Sequence, residues 1–265
     1  MPLVNAALLP HSPLLIPEIG RANYAFLEKT VNAYKEIENE LKNNLVDIVI
    51  IVSPHSLSQD DSFTINTTPE MEISLRDFGF IPLTKNYKGA TLMIDQVKNT
   101  LRPEYPLKLV SEKLLDHGSA IPLYLLRDSL TNTKIIIISP AHNLSLENHL
   151  NFGESLGKII KESEKNIIII ASGDLSHRLK RKSPGGYSPK GAKFDNKIIE
   201  YLSNPETAIE NILKMDKNLI KDAAECGLKP LLVVLGALKE RPWEPDILAY
   251  QTDFGIGYLS LNFKI

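Results

Sequence analysis

Cysteine occurs once in 265 residues, at Cys226, so an internal disulfide is excluded and a reducing compartment is expected. Long apolar runs are missing too. None approaches the roughly 18 residues of a membrane-spanning helix, and the opening stretch MPLVNAALLPHSPLLIP lacks the basic region and cleavage site of a signal peptide. The expectation is a cytoplasmic chain with no membrane partner. Neither sign of charge dominates: 30 Lys and Arg against 32 Asp and Glu give a net charge of -2, which offers nucleic acid no global attraction. The absence of internal repeats and low-complexity stretches sets aside solenoids and disordered linkers.

What is present is core material. Apolar residues make up 43% of the chain, and α/β folds of this length are often one domain. Leu3 to Leu9, Val46 to Val52, Lys134 to Ser139 and Asn166 to Ala171 are rich in Ile and Val on both faces. Such runs predict buried strands of a largely parallel sheet. Helical spacing runs through Ala22 to Asn43, Gly89 to Leu101, Ala120 to Leu130 and Leu146 to Ser163. It resumes in Gly191 to Leu202, Pro205 to Met215 and Leu228 to Lys239, with Asp216 as N-cap of a short intervening turn. The predicted class is therefore α/β, a central mostly parallel sheet flanked by helices. Asp246 to Ile265 alternates around Gly255 and Gly257 and predicts an antiparallel C-terminal hairpin at a sheet edge. Asp60 to Thr84 and the basic, Pro- and Gly-containing stretch Arg178 to Gly191 read as loops able to wall a pocket.

Four of the six histidines fall at predicted strand ends or helix starts: His11, His55, His117 and His177. Ligands of open α/β sheets bind beyond the carboxyl ends of the strands, so histidines from different strands converge there. His11 and His55 each sit in a Pro-His-Ser triplet after an apolar run, and the proline limits how the chain leaves the sheet. Imidazole is the commonest transition-metal ligand, and two imidazoles with one carboxylate suit ferrous iron. Glu225, in Ala-Ala-Glu-Cys-Gly-Leu, is the candidate carboxylate, though residue pattern alone barely separates it from Asp116 or Asp174. His117 and His177 are open to roles as ligands, acid-base groups or supports. Cys226 is a candidate thiolate ligand, against the commoner reading of a small core residue. His142 is expected to start or cap the following helix, and His149 within it to be exposed. A Ser176-His177-Asp174 triad is disfavoured, because loop neighbours rarely form one and no Gly-x-Ser-x-Gly elbow is present.

The ordered set Leu-Leu-Pro-His11-Ser-Pro, Ser-Pro-His55-Ser, Leu-Asp-His117-Gly-Ser, Ser-Gly-Asp174-Leu-Ser-His177 and Ala-Glu225-Cys-Gly resembles the LigB-like superfamily of class III extradiol ring-cleaving dioxygenases. The resemblance runs along nearly the whole chain and implies one LigB-like domain over residues 1–265. It implies Fe(II) held by His11, His55 and Glu225, acid-base roles for His117 and His177, and a catechol-type aromatic substrate with O2. Asp174 is expected to orient an imidazole. The chain is most similar to the LigB-like domains that accompany the AmmeMemoRadiSam group, relatives of the Memo proteins, which generally carry a third histidine and a cysteine at the metal site. Two other readings use the same residues: a Memo-like metal- or peptide-binding protein, and a zinc hydrolase on His11 and His55. A homodimer would resemble the superfamily's habit.

Overall fold

The computed structural model describes residues 2–42, 45–57, 59–80 and 86–265. The chain starts with β1 (Leu3–Leu9), a short α1 (Pro17–Gly20), α2 (Glu28–Lys42) and β2 (Ile48–Val52). Next come β3 (Phe63–Asn66), β4 (Glu70–Ile73), β5 (Asn86–Lys88), α3 (Thr91–Leu101), β6 (Leu107–Val110), β7 (Leu114–Leu115) and α4 (His117–Leu125). β8 (Lys134–Ser139), α5 (Leu146–Lys161) and β9 (Ile167–Ser172) complete the buried sheet. The helical stretch α6 (Pro189–Leu202), α7 (Pro205–Leu213), α8 (Lys217–Ala223) and α9 (Leu228–Ala237) leads to the hairpin β10 (Glu244–Gln251) and β11 (Tyr258–Lys264).

Among the described residues, eight strands form one sheet in the order β10-β11-β1-β9-β2-β8-β3-β6. Its centre, β1-β9-β2-β8, is parallel, and the C-terminal hairpin is antiparallel at one edge. Each central strand is buried on both faces, which is why its sequence is continuously apolar instead of alternating. Leu8, Ile50 and Ile169 pack on one side with α3 and α5 to α9, and Leu9, Ile51 and Ile170 on the other with α2 and α4. No helix of the described residues is long and apolar enough to cross a membrane.

One expectation changes. The stretch from Asp60 is not simply a loop, because β3 joins the main sheet and β4 pairs with β5 and β7 in a second, three-stranded sheet. Strands of four residues built on Thr, Asn and Glu carry too little apolar signal to be read against turn residues. Ile81 to Thr84 and Asn43, which close two of the expected segments, lie outside the described residues.

α5 crosses α9 at backbone contact. A Cβ on Gly236 would come 2.1 Å from the Leu150 carbonyl oxygen, and one on Gly153 would come 2.1 Å from that of Val233. Gly236→Ala must push the helices apart. It is expected to cost about 1–3 kcal/mol despite alanine's better helix propensity, read as a lower urea midpoint. α9 follows Cys226 and Gly227 directly, so this crossing also holds the site below in place.

Candidate metal centre

The parallel strands β1, β9 and β2 end on one side of the sheet, and each delivers a polar side chain within three residues of its end: His11, Asp174 and His55. His11 is 3% exposed. Its Nδ1 lies 2.9 Å from Ser172 Oγ, whose single proton goes to the Gly118 carbonyl. Ser172 must therefore accept from His11 Nδ1–H, which leaves His11 Nε2 with a bare lone pair. That is the tautomer a metal ligand requires. The His11 amide also donates to Asp174 Oδ1 at 3.2 Å, and Tyr34 OH donates to the carbonyl of Pro10 at 2.6 Å.

His55 is set by a second chain of bonds. Its amide donates to Ser53 Oγ at 3.3 Å, Ser53 Oγ donates to Asp116 Oδ1 at 2.6 Å, and Asp116 also caps α4 through the Ser119 amide. His117, the first residue of α4, stacks on His55 with ring centroids 4.3 Å apart. Phe78 stands edge-on to His117 at 5.8 Å.

His177 donates Nδ1–H to the Ala224 carbonyl at 2.8 Å, so its Nε2 is also bare, 3.8 Å from Asp174 Oδ2. Ser176 is fully buried and donates to the Ala223 carbonyl at 2.9 Å, which removes the serine-nucleophile reading. The amide of Ser176 is held at 2.8 Å by Asp195, a residue that no motif singles out. Asp195 also accepts from Tyr250 OH at 2.8 Å. Burial lifts its carboxyl from 3.8 to about 6. A carboxyl raised on folding favours the native state when protonated, so its contribution is full below pH ~4 and is lost as pH rises through about 6. Asp195→Asn, compared with wild type by urea unfolding from pH 4 to 7, should remove a fall on the order of 2–3 kcal/mol.

α8 ends on Ala224 in the left-handed region, at φ 51, a conformation rare for a residue with a Cβ. This turn decides what the next two residues do. Cys226 is laid along Asp174: the Asp174 amide donates to Cys226 Sγ at 3.2 Å, and the amides of Cys226 and Gly227 donate to the Asp174 carbonyl. The approach is possible because Gly173 meets Gly227, where a Cβ on Gly173 would lie 2.2 Å from the Gly227 Cα. Glu225 instead accepts from the Leu228 amide at 2.6 Å and caps the start of α9.

The expected set of His11, His55 and Glu225 is not brought together as one cluster. Among the described residues the side chains able to share an ion form two groups, His11 with His55 and His117, and His11 with Asp174 and Cys226. Glu225 belongs to neither, since the turn at Ala224 puts its carboxylate on the helix end. Two further placements differ from expectation. His149 is fully buried, with Nδ1 2.7 Å from the Ser145 carbonyl and Nε2 3.1 Å from that of Ala141. Ser145, not His142, caps α5, while the exposed His142 stands close enough to His55 to lower its pKa.

The electrostatics favour a cation. Burial first, then His55, His117 and His177, hold His11 well below the usual imidazole range. Burial and His117 bring His55 down to about 4, and burial lifts Asp174 to about 7 and raises the Cys226 thiol. The imidazoles are thus neutral donors. His11 Nε2 lies 3.1 Å from His55 Nε2 and 3.6 Å from Cys226 Sγ. Ligands bound at ~2.0–2.1 Å (N) and ~2.3 Å (S) around one ion stand ~2.9–3.6 Å apart at right-angle to tetrahedral geometry. The donor set fits.

Residues 5–260 match the family model described as the catalytic LigB subunit of aromatic ring-opening dioxygenase. A Clostridium acetobutylicum protein is 31% identical over 268 residues, which cover 97% of this chain and 57% of that protein; the chain spans little more than half of that relative's length. The 3,4-dihydroxyphenylacetate 2,3-dioxygenase of Escherichia coli is 24% identical over 75% of each chain. A MEMO1 family protein of Sulfolobus acidocaldarius is 29% identical over 43% of this chain and 39% of its own. The crystal structure of an uncharacterized protein from Escherichia coli K12 shares the fold, with a TM-score of 0.70 at 19% identity, covering 97% of this chain and 98% of that one.

Proposed function

Because the chain belongs to the family of the catalytic LigB subunit of aromatic ring-opening dioxygenase, we propose that it is a non-haem iron enzyme that opens a catechol-type ring with O2. In this reading His11, the donor common to both groups, holds the ion with His55 from one and Cys226 from the other, which must draw closer to each other to share it. The observation that carries it is the pair of separations around His11 Nε2, 3.1 Å to His55 Nε2 and 3.6 Å to Cys226 Sγ, beside a histidine with a bare Nε2. Iron supplies the redox chemistry that lets O2 react with a spin-paired aromatic, and both oxygen atoms enter the product without a further reductant.

The chain's own groups handle protons. His177 Nε2 takes the proton of a substrate hydroxyl, and Asp174, whose carboxyl burial lifts to about 7, faces it from 3.8 Å. His117, against His55 and Phe78, is the second proton carrier. Burial of His11 and Asp174 keeps bulk water from competing for these protons.

Cys226 favours a second reading, a MEMO1-like metal-binding protein without ring cleavage, and a nitrogen-sulfur donor set also suits zinc. Oxygen uptake separates them. Protein purified anaerobically and loaded with Fe(II) is mixed with catechol or 3,4-dihydroxyphenylacetate under air. Stoichiometric O2 consumption that falls about 10²–10⁴-fold in His177→Ala supports the enzyme. Bound metal with no uptake transfers the assignment to the second reading.

A further inference from the structure

We propose that Phe78 selects the substrate: the metal centre takes a catechol whose ring carries an apolar, uncharged substituent, and that substituent packs against Phe78. The proposal rests on the catechol reading above and names the class within it. Phe78 stands edge-on to His117 with ring centroids 5.8 Å apart. His117 in turn stacks on His55 at 4.3 Å and stands edge-on to His11 at 5.3 Å. An aromatic ring thus borders the group of imidazoles that could share the ion.

One exposed phenylalanine is ordinary on a protein surface. Phe78 differs in how it is held there. It closes the one-turn helix Arg76–Phe78 that follows β4. At the base of that turn Leu75 bridges Phe80, and the amides of Phe78 and Phe80 both donate to the Leu75 carbonyl. Leu75 is fully buried, and Phe80 packs edge-on to Tyr124 of α4 at 5.8 Å. Gly79 lies between them at φ 73, in the left-handed region that reverses the chain. Leu75 and Phe80 are therefore taken up by the core, while Phe78 is kept out of it, 39% exposed, against the first residue of the same helix α4. The small sheet fixes an apolar surface beside the histidines.

Little there suits a charged substituent. His11 and His55 are neutral donors, Arg76 and Asp77 bring opposite charges to the one turn, and the cap of α4 is a carboxylate, Asp116. Lys229 spends its ammonium on the carbonyls of Ala141 and His142. Leu57, two residues after His55, is a further exposed apolar side chain. A carboxylate brought against Phe78 gives up water for no matched partner. An alkyl or aryl group instead removes its own apolar surface and that of the ring from water.

The probes are 4-tert-butylcatechol and 3,4-dihydroxyphenylacetate, titrated calorimetrically into the Fe(II)-loaded full chain without O2, so that binding is read with no turnover. Wild type is expected to bind 4-tert-butylcatechol at least about tenfold more tightly. Phe78→Ala should weaken that binding about 5–20-fold and leave the carboxylate within about twofold. Phe78→Leu should keep most of the preference, and Phe78→Lys should invert it. Bound iron and melting temperature should match wild type in all three, because Phe78 is neither buried nor among the converging donors. Equal or weaker binding of 4-tert-butylcatechol by wild type, binding of neither probe, or a preference unchanged in Phe78→Ala overturns the proposal. A Phe78-dependent preference in protein that takes up no O2 upholds it and rejects the ring-opening step alone.

Discussion

His11→Ala protein is expected to lose at least about a hundredfold in Fe(II) or Zn(II) affinity while staying folded. The site's binding energy is spread over three donors, so each is worth on the order of 3 kcal/mol or more. His11 is the donor common to both groups of converging side chains, and its Nε2 is the atom from which the 3.1 and 3.6 Å separations are measured. Its removal breaks both. Stability near neutral pH should fall by about 1–3 kcal/mol, because the alanine loses the bond to Ser172 and leaves a cavity, while the lowered His11 pKa weighs on the fold only at acid pH. Competitive titration with a chelating dye gives the affinity, and thermal melting without metal gives the stability. A variant that binds metal as tightly as wild type would remove His11 from the site.

The second large effect separates two adjacent residues. Cys226→Ser should weaken zinc and iron binding by about two orders of magnitude, since it replaces a thiolate by a hydroxyl that does not ionise near neutral pH. Ionising the thiol at all requires the cation, because burial and Asp174 otherwise hold it protonated. Glu225→Ala should leave metal affinity within about threefold and instead cost about 1 kcal/mol of stability, the value of a lost helix cap, because its carboxylate bonds the Leu228 amide. The two outcomes diverge. A facial triad through Glu225 requires them reversed, with metal lost in Glu225→Ala and kept in Cys226→Ser.

Sequence shows the frame of this site more fully than its contents. β1, β2, β8 and β9 are legible because a strand covered on both faces must be apolar throughout, as in Ile48–Val52 and Lys134–Ser139. His11 and His55 follow from that frame, since the residue just beyond a parallel strand has few places to go. Cys226 and Glu225 do not, because one backbone angle at Ala224 decides which of them meets the histidines. Alanine gives no signal for a left-handed turn, as glycine or asparagine would. Asp195 and His149 are invisible for a related reason. Each sits within a helix among solvated residues, and only the packing of a second element reveals that it is fully buried.

X-ray absorption at the metal edge of the loaded protein tests the ligand set most directly. One sulfur at ~2.3 Å and two imidazole nitrogens at ~2.0–2.1 Å, with the sulfur lost in Cys226→Ser, is the result expected from His11, His55 and Cys226. A shell of nitrogen and oxygen alone, unchanged by Cys226→Ser and altered by Glu225→Ala, would contradict it.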